Sequence, residues 1–162
     1  MIRYVTGDIL LSKANAIAHG VAPNDDFAQG LALSLREFSP AMYKDFRHFC
    51  QSTHPKAGSI WTWGGAGGAR IVALFTQEGA YGHGAKPGRA SAANVNHALK
   101  ALAHEAGKEG WTSLALPRLA TGVGGLDWSE VKPLVEHHLG GLGIPVLVYE
   151  TFQKGKVADE GL

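Results

Sequence analysis

Cysteine, unbalanced charge and long apolar runs are all scarce in this chain, and each scarcity closes off a class of function. Cys50 stands alone, which excludes an internal disulfide and any metal site built on a cysteine cluster. Its setting, Tyr43-Lys44-Asp45-Phe46-Arg47-His48-Phe49-Cys50, suits a buried thiol better than a nucleophile. Lysine and arginine total 15 against 14 aspartates and glutamates, a formal net charge of +1. That balance gives no general attraction to nucleic acid or to an acidic membrane surface. No apolar run is long enough to cross a bilayer and no basic-apolar-small leader opens the chain, so the cytoplasm is the expected compartment. No Gly-x-Ser-x-Gly elbow, P-loop lysine or Ser-His-Asp signature is present.

What remains describes a soluble globular protein. Hydrophobic residues make up 45% and charged residues 18% of the 162 positions, enough for one domain with a proper core. Glycine is the abundant residue, at 22.

The spacing of apolar residues predicts alternating strands and helices. Ile2 to Val5 reads as a first strand, turned by Gly7-Asp8, and Ala14 to Val21 as a buried second strand ending near His19-Gly20. After the loop Ala22 to Phe27, Leu31, Leu35 and Phe38 recur at helical spacing, and Met42, Phe46 and Phe49 do so again after Pro40. Ser59 to Trp63 and Arg70 to Thr76 form a hairpin pattern about the turn Gly64 to Gly68, followed by a long glycine-rich loop from Gln77 to Gly88. A helix starting at Ser91 carries Val95, Leu99 and Leu102 and ends at Gly107 and Gly110. Ser113 to Leu116 is a buried strand, Val131, Leu134, Val135 and His138 pattern the last helix, and Ile144 to Tyr149 is the last strand. The expected fold is a three-layer α/β/α sandwich with a mixed central sheet. It forms a single domain over 1–152 with a frayed tail over 153–162.

The organising stretch runs from Leu114 to Trp128. An apolar strand there gives way to a turn holding Gly122, Gly124 and Gly125, then to a helix start. Glycines let the backbone approach a phosphate, and the N–H groups of such a loop point at negative charge; a tight turn needing positive φ explains the same glycines. Asn24-Asp25-Asp26-Phe27 before Gly30-Leu31-Ala32 is a second loop-to-helix entry. There Asp25 or Asp26 could cap the helix. Asp8 could accept hydrogen bonds from an adenine amino group or close an Asx-turn. Asp127 stands three residues before Glu130, at capping-box spacing. His137 and His138 are adjacent, His97 and His104 are too far apart to share an ion, and His83 is isolated, so no metal site is expected. Lys86 and Arg89 flank the same loop and could meet a pyrophosphate or remain solvated.

Four motifs then fall in one order: Val5-Thr6-Gly7-Asp8-Ile9, Ala16-Ile17-Ala18-His19-Gly20, Gln29-Gly30-Leu31-Ala32 and Pro117 to Leu126. Together they resemble the macrodomains over about Ile2 to Tyr149. The nearest likeness is to the branch holding terminal ADP-ribose hydrolases, ADP-ribose-1''-phosphate phosphatases and related readers. The resemblance implies an ADP-ribose cleft at the strand ends, with no cofactor. Asp8 and Ile9 would meet the adenine, and Gly30, Leu31 and Ala32 would border the ribose and pyrophosphate. Thr121, Gly122, Val123, Gly124, Gly125 and Leu126 would cradle the pyrophosphate and distal ribose. His19 would lie on the cleft floor, with Thr76 and Gln77 at its edge beside Glu78.

One departure from the family matters for chemistry. Members of this branch that cleave ADP-ribose from glutamate or from DNA bases place a lysine after the threonine ending the middle strand, and here that position is Gln77. An amine can attack the distal ribose to form a Schiff-base-like intermediate, and an amide cannot. The partner acidic position falls on Gly124. Three functions stay open: a hydrolase that activates water with Asp26, Asp127 or His19, a phosphatase for ADP-ribose 1''-phosphate, and a reader of ADP-ribose. The partner in each case is ADP-ribose, free or carried on protein or nucleic acid, with no membrane role and a monomeric chain.

Overall fold

The computed structural model describes residues 1–65, 68–79, 81 and 88–162. In chain order these form β1 (Ile2–Gly7), β2 (Ala16–Val21), α1 (Gly30–Phe38), α2 (Pro40–Thr53), β3 (Ile60–Gly64), β4 (Arg70–Phe75), α3 (Ala92–Glu109), β5 (Leu114–Pro117), α4 (Trp128–Leu139) and β6 (Val146–Phe152). A 3-10 turn, Ile9–Leu11, follows β1. The strands make one sheet in the order β1-β6-β5-β2-β4-β3. Only β3 runs antiparallel, paired with β4 as the hairpin expected from sequence.

Alternation along the strands sorts the apolar side chains to two faces. Ala16 and Ala18 of β2, Val72 and Leu74 of β4, Leu114 and Leu116 of β5, and Val146 and Val148 of β6 face α3 and α4, whose Val95, Leu99, Leu102, Val131 and Val135 complete that layer. Ile71, Ala73 and Phe75 face the other way, onto Leu35 of α1 and Met42, Phe46 and Cys50 of α2. Strands covered on both faces read as continuous apolar runs, which is why β2, β4 and β5 stand out in the sequence.

Helix ends follow local chemistry. Ser91 accepts the Asn94 N–H through its hydroxyl at the start of α3, and Gly110 closes that helix with φ +66°. Gly107 lies inside the helix and does not end it. Phe38 is 68% exposed and not part of the apolar stripe. It sits in the last turn before Ser39 and Pro40 begin α2, so the chain turns away before its ring finds a partner. His138 likewise yields its place in the buried stripe of α4 to Leu139 and meets Asn96 through its ring nitrogen.

The tail after Phe152 is not frayed. Helices α1 and α2 cover only part of their face of the sheet, and Val5, Ala115, Leu147 and Tyr149 are covered instead by Ile9 and by Ala158 of the tail. Ala158 and Glu160 are buried. Glycine and charge made this segment look solvated; the apolar patch left open by α1 and α2 gives it a place to pack.

Among the described residues no helix is long and apolar enough to cross a membrane.

Candidate functional site

Strand β2 is hydrogen-bonded to β4 along its whole length, but to β5 only at Ala16 and Ile17. Beyond that point the two strands separate. The chain leaving β2 passes to α1, and the chain leaving β5 passes to α4 on the opposite face. Such a switch in direction opens a crevice at the carboxyl ends of parallel strands.

Two adjoining cavities fill the crevice, and both are lined by Gly30, Leu31, Pro117, Arg118 and Gly122. One, of about 640 Å³, reaches His19, Asp25, Asp26, Gln77 and Val123. The other, of about 750 Å³, reaches Asp8, Ile9, Thr121, Tyr149, Phe152 and Lys154. Each is large enough for part of a nucleotide-sized ligand.

The loop after β5 is wound tightly against itself. Leu126 donates its N–H to the Ala120 carbonyl at 3.0 Å, Gly125 to Gly122 at 3.1 Å, and Ala90 to Gly124 at 3.1 Å. Ala120 holds φ +62°, an uncommon conformation for a residue with a side chain. The three glycines are there for different reasons. A Cβ on Gly124 would lie 2.6 Å from the Ala120 carbonyl oxygen, and Gly125 has φ +78° beneath the Arg89 guanidinium. Gly122 has neither constraint: among the described residues a Cβ there would meet no atom within 4 Å, and the residue faces both cavities. Nothing among the described residues requires glycine at 122, and its bare backbone is open to the crevice.

The second loop is held by Asp25, whose Oδ1 accepts the Phe27 N–H at 2.7 Å, with Asn24 and Phe27 both at positive φ. Burial raises the Asp25 pKa, opposed by that hydrogen bond and assisted by neighbouring Asp26. Neither aspartate caps α1, whose N-cap is Gln29 without a side-chain bond. His19 is fully buried with both ring nitrogens lacking a hydrogen-bond partner, and desolvation lowers its pKa to about 4. It is therefore neutral at neutral pH. At the other end, Asp8 is buried, and its Oδ1 accepts the Leu10 N–H at 3.0 Å as an Asx-turn would.

The sequence-derived site is brought together in most of its parts. Asp8, Ile9, His19, Gly30, Leu31, Ala32, Gln77, Thr121, Gly122, Val123, Gly124 and Asp26 all line the crevice. Thr76, Gly125 and Leu126 do not. Thr76 is buried against Gly20, and Leu126 packs on the core. Asp127 is exposed at the N-cap of α4, makes no side-chain cap bond, and lines neither cavity. The loop tightens before Asp127 and carries it away. Gln77 donates from its amide to the Gly88 carbonyl at 2.9 Å, and Arg89 donates to the Gly125 carbonyl at 3.3 Å. His83 and Lys86 lie outside the described residues. Among the described residues no group of histidine, cysteine and carboxylate side chains could hold a metal. Sequence reasoning missed Arg118, Phe152 and Lys154 as lining residues. The first was already in the Pro117 to Leu126 motif, Phe152 is the last residue of the expected domain, and Lys154 belongs to the segment expected to be a frayed tail.

No family profile matches the chain. Over 159 residues it is 29% identical to a DNA ADP-ribosyl glycohydrolase of Thermus aquaticus, covering 96% of this chain and 43% of that protein. Over 60 residues it is 42% identical to a DNA ADP-ribosyl transferase-DNA ADP-ribosyl glycohydrolase fusion protein of Thermosipho africanus, covering 37% of this chain and 16% of that protein. The chain thus spans less than half the length of the curated relatives it matches. Among solved structures, the macrodomain of Thermus aquaticus DarG superposes with a TM-score of 0.81 at 28% identity, over 93% of this chain and 98% of that one. Thermosipho africanus DarTG in complex with ADP-ribose gives a TM-score of 0.81 at 23% identity, over 96% of this chain and 42% of that one.

Proposed function

This chain has the macrodomain fold, and from that premise we propose that it binds ADP-ribose and releases it from a modified macromolecule by activating water. Adenine sits at Asp8 and Ile9, the pyrophosphate crosses the waist between Gly30-Leu31 and Gly122, and the distal ribose reaches the chamber of His19, Asp25, Asp26 and Gln77. The observation that carries the binding assignment is Gly122, open to both cavities with no atom of the described residues to constrain it.

Water activation follows from the side chains in the distal chamber. The amide of Gln77 is no nucleophile, and it is engaged with the Gly88 carbonyl. A general base must be ionised yet basic enough to take a proton, and burial moves Asp25 toward that balance. Asp25, alongside exposed Asp26, is the better base than Asp127, which lies outside the chamber. Neutral His19 orients groups on the chamber floor. The carriers to test first are DNA, the substrate named for the relatives, and protein. The same reading makes the chain a cytoplasmic monomer that works without a cofactor, with Cys50 buried as a free thiol.

A second reading, a reader without chemistry, is favoured by Gln77 standing where the lysine of related hydrolases is expected. Titration calorimetry with ADP-ribose, then incubation with ADP-ribosylated DNA and protein, separates the two. No binding at millimolar ligand overturns both readings. Binding with release of ADP-ribose supports the hydrolase, and binding without release supports the reader.

A further inference from the structure

Glu160 is only 9% exposed, yet its carboxylate is fully supplied with donors. Ser12 Oγ and the Tyr149 hydroxyl donate to Oε2, and the Lys13 N–H donates to Oε1 at 2.9 Å. A buried carboxylate with three donors is a fixed point. It ties down a segment that runs back across the end of β1. Gln153 donates its N–H to the Gly7 carbonyl at 3.0 Å, and Asp8 donates its own to the Lys156 carbonyl at 2.8 Å. Ala158 lies so close that a Cβ on Gly7 would come within 2.9 Å of it.

The consequence falls on Asp8. Its Oδ1 is held from its own turn by Leu10, but its Oδ2 accepts the Gly155 N–H at 3.0 Å, from 147 residues away. Gly155 reaches that position at φ +77°, a conformation suited to glycine. Each carboxylate oxygen keeps a further lone pair, and Asp8 borders the cavity that Phe152 and Lys154 also line. The tail therefore sets which way the remaining lone pairs point.

We propose that the segment 152–160, whose Phe152 and Lys154 line the nucleobase end of the site, is latched by Glu160, and that this latch orients Asp8 to select a base with an exocyclic amino group. This rests on the reading of the crevice as an ADP-ribose site. Glu160 is a positioning residue, distant from any reacting atom, and its effect is on base discrimination.

The test compares ADP-ribose with inosine diphosphate ribose, in which a 6-oxo group replaces the 6-amino donor. Affinities are measured by calorimetry for the whole chain and for Glu160→Ala, Glu160→Gln and Gly7→Ala. Gly7→Ala drives a Cβ to 2.9 Å from both the Ala158 Cβ and the Lys156 carbonyl oxygen, shifting the tail while leaving the three donors to Glu160 in place, so it decides the matter if Glu160→Ala does not fold. In the unaltered protein ADP-ribose binds more tightly than the inosine analogue. In Glu160→Ala and Gly7→Ala, ADP-ribose affinity falls by about tenfold while the analogue is little changed, so the preference collapses. Glu160→Gln, which can still accept from Ser12 or Tyr149, falls between. An unchanged preference ratio in a folded variant overturns the latch while leaving the ADP-ribose reading intact. Failure of the unaltered protein to bind ADP-ribose overturns both.

Discussion

Phe27 presents itself edge-to-face to His19, with ring centroids 5.6 Å apart and planes at 83°. The contact fills one side of an imidazole that has no hydrogen-bond partner, so the protein accommodates His19 as an apolar ring. In the unfolded chain this histidine takes up a proton near pH 6.5, whereas in the folded chain it does so only near 4. Between those values the unfolded state binds more protons, and stability falls as pH falls. The loss from this one group is on the order of 3 kcal/mol, and nothing is lost above pH 6.5. Urea unfolding at pH 7.5 and pH 4.5 measures it. His19→Leu should lose less stability than the unaltered protein over the same interval, and equal losses would mean that His19 is protonated or partnered in the folded state.

Asp25 takes the place that the sequence pointed to at Asp26 and Asp127. Asp25 lines the distal chamber with its pKa raised by burial, and Asp127 lies exposed at the start of α4. Asp25→Asn retains an acceptor for the Phe27 N–H and removes the base. ADP-ribose affinity should stay within about threefold, with release from a modified carrier reduced by about a hundredfold or more. Asp127→Asn should change neither quantity. Full release activity in Asp25→Asn would move the base to Asp26.

The glycines of the loop after β5 should separate in the same way. Alanine at 124 drives a Cβ into the Ala120 carbonyl, and should cost about 1–3 kcal/mol of stability, as overpacking does. Alanine at 122 meets no atom of the described residues and should leave stability within about 0.5 kcal/mol, while lowering ADP-ribose affinity by about tenfold. Thermal unfolding and calorimetry on the two variants read both effects. An unaffected affinity in Gly122→Ala would place the pyrophosphate elsewhere.

The strands and their order of burial were legible because both sheet faces are covered, leaving apolar runs such as Ile71 to Phe75 with few competing readings. The glycine-rich loop was legible as a motif, but which of its glycines the fold itself requires was not. That distinction depends on Ala90 and Arg89, which come from a different part of the chain to pack on Gly124 and Gly125. The tail was illegible for a related reason. Lys154, Gly155, Lys156 and Asp159 look solvated one by one, and only the open patch around Val5, Leu147 and Tyr149 gives Ala158 and Glu160 something to bury against. Local composition carries no record of a surface made by strands far away in sequence.

Gln77 offers the most direct test of the proposed chemistry. Its side chain is buried at the edge of the distal chamber, where an amine would face the distal ribose. In Gln77→Lys the bond to the Gly88 carbonyl can be kept by the ammonium, while burial lowers the lysine pKa and frees a fraction of neutral amine. Release of ADP-ribose from DNA should then rise by about tenfold or more, and borohydride should trap a covalent protein–ADP-ribose adduct that the unaltered chain never forms. A faster reaction without an adduct would mean that the new charge assists the existing water route. No change in rate, with ADP-ribose still bound, would mean that the reacting carbon lies out of reach of position 77, and the distal ribose would have to be placed closer to Asp25.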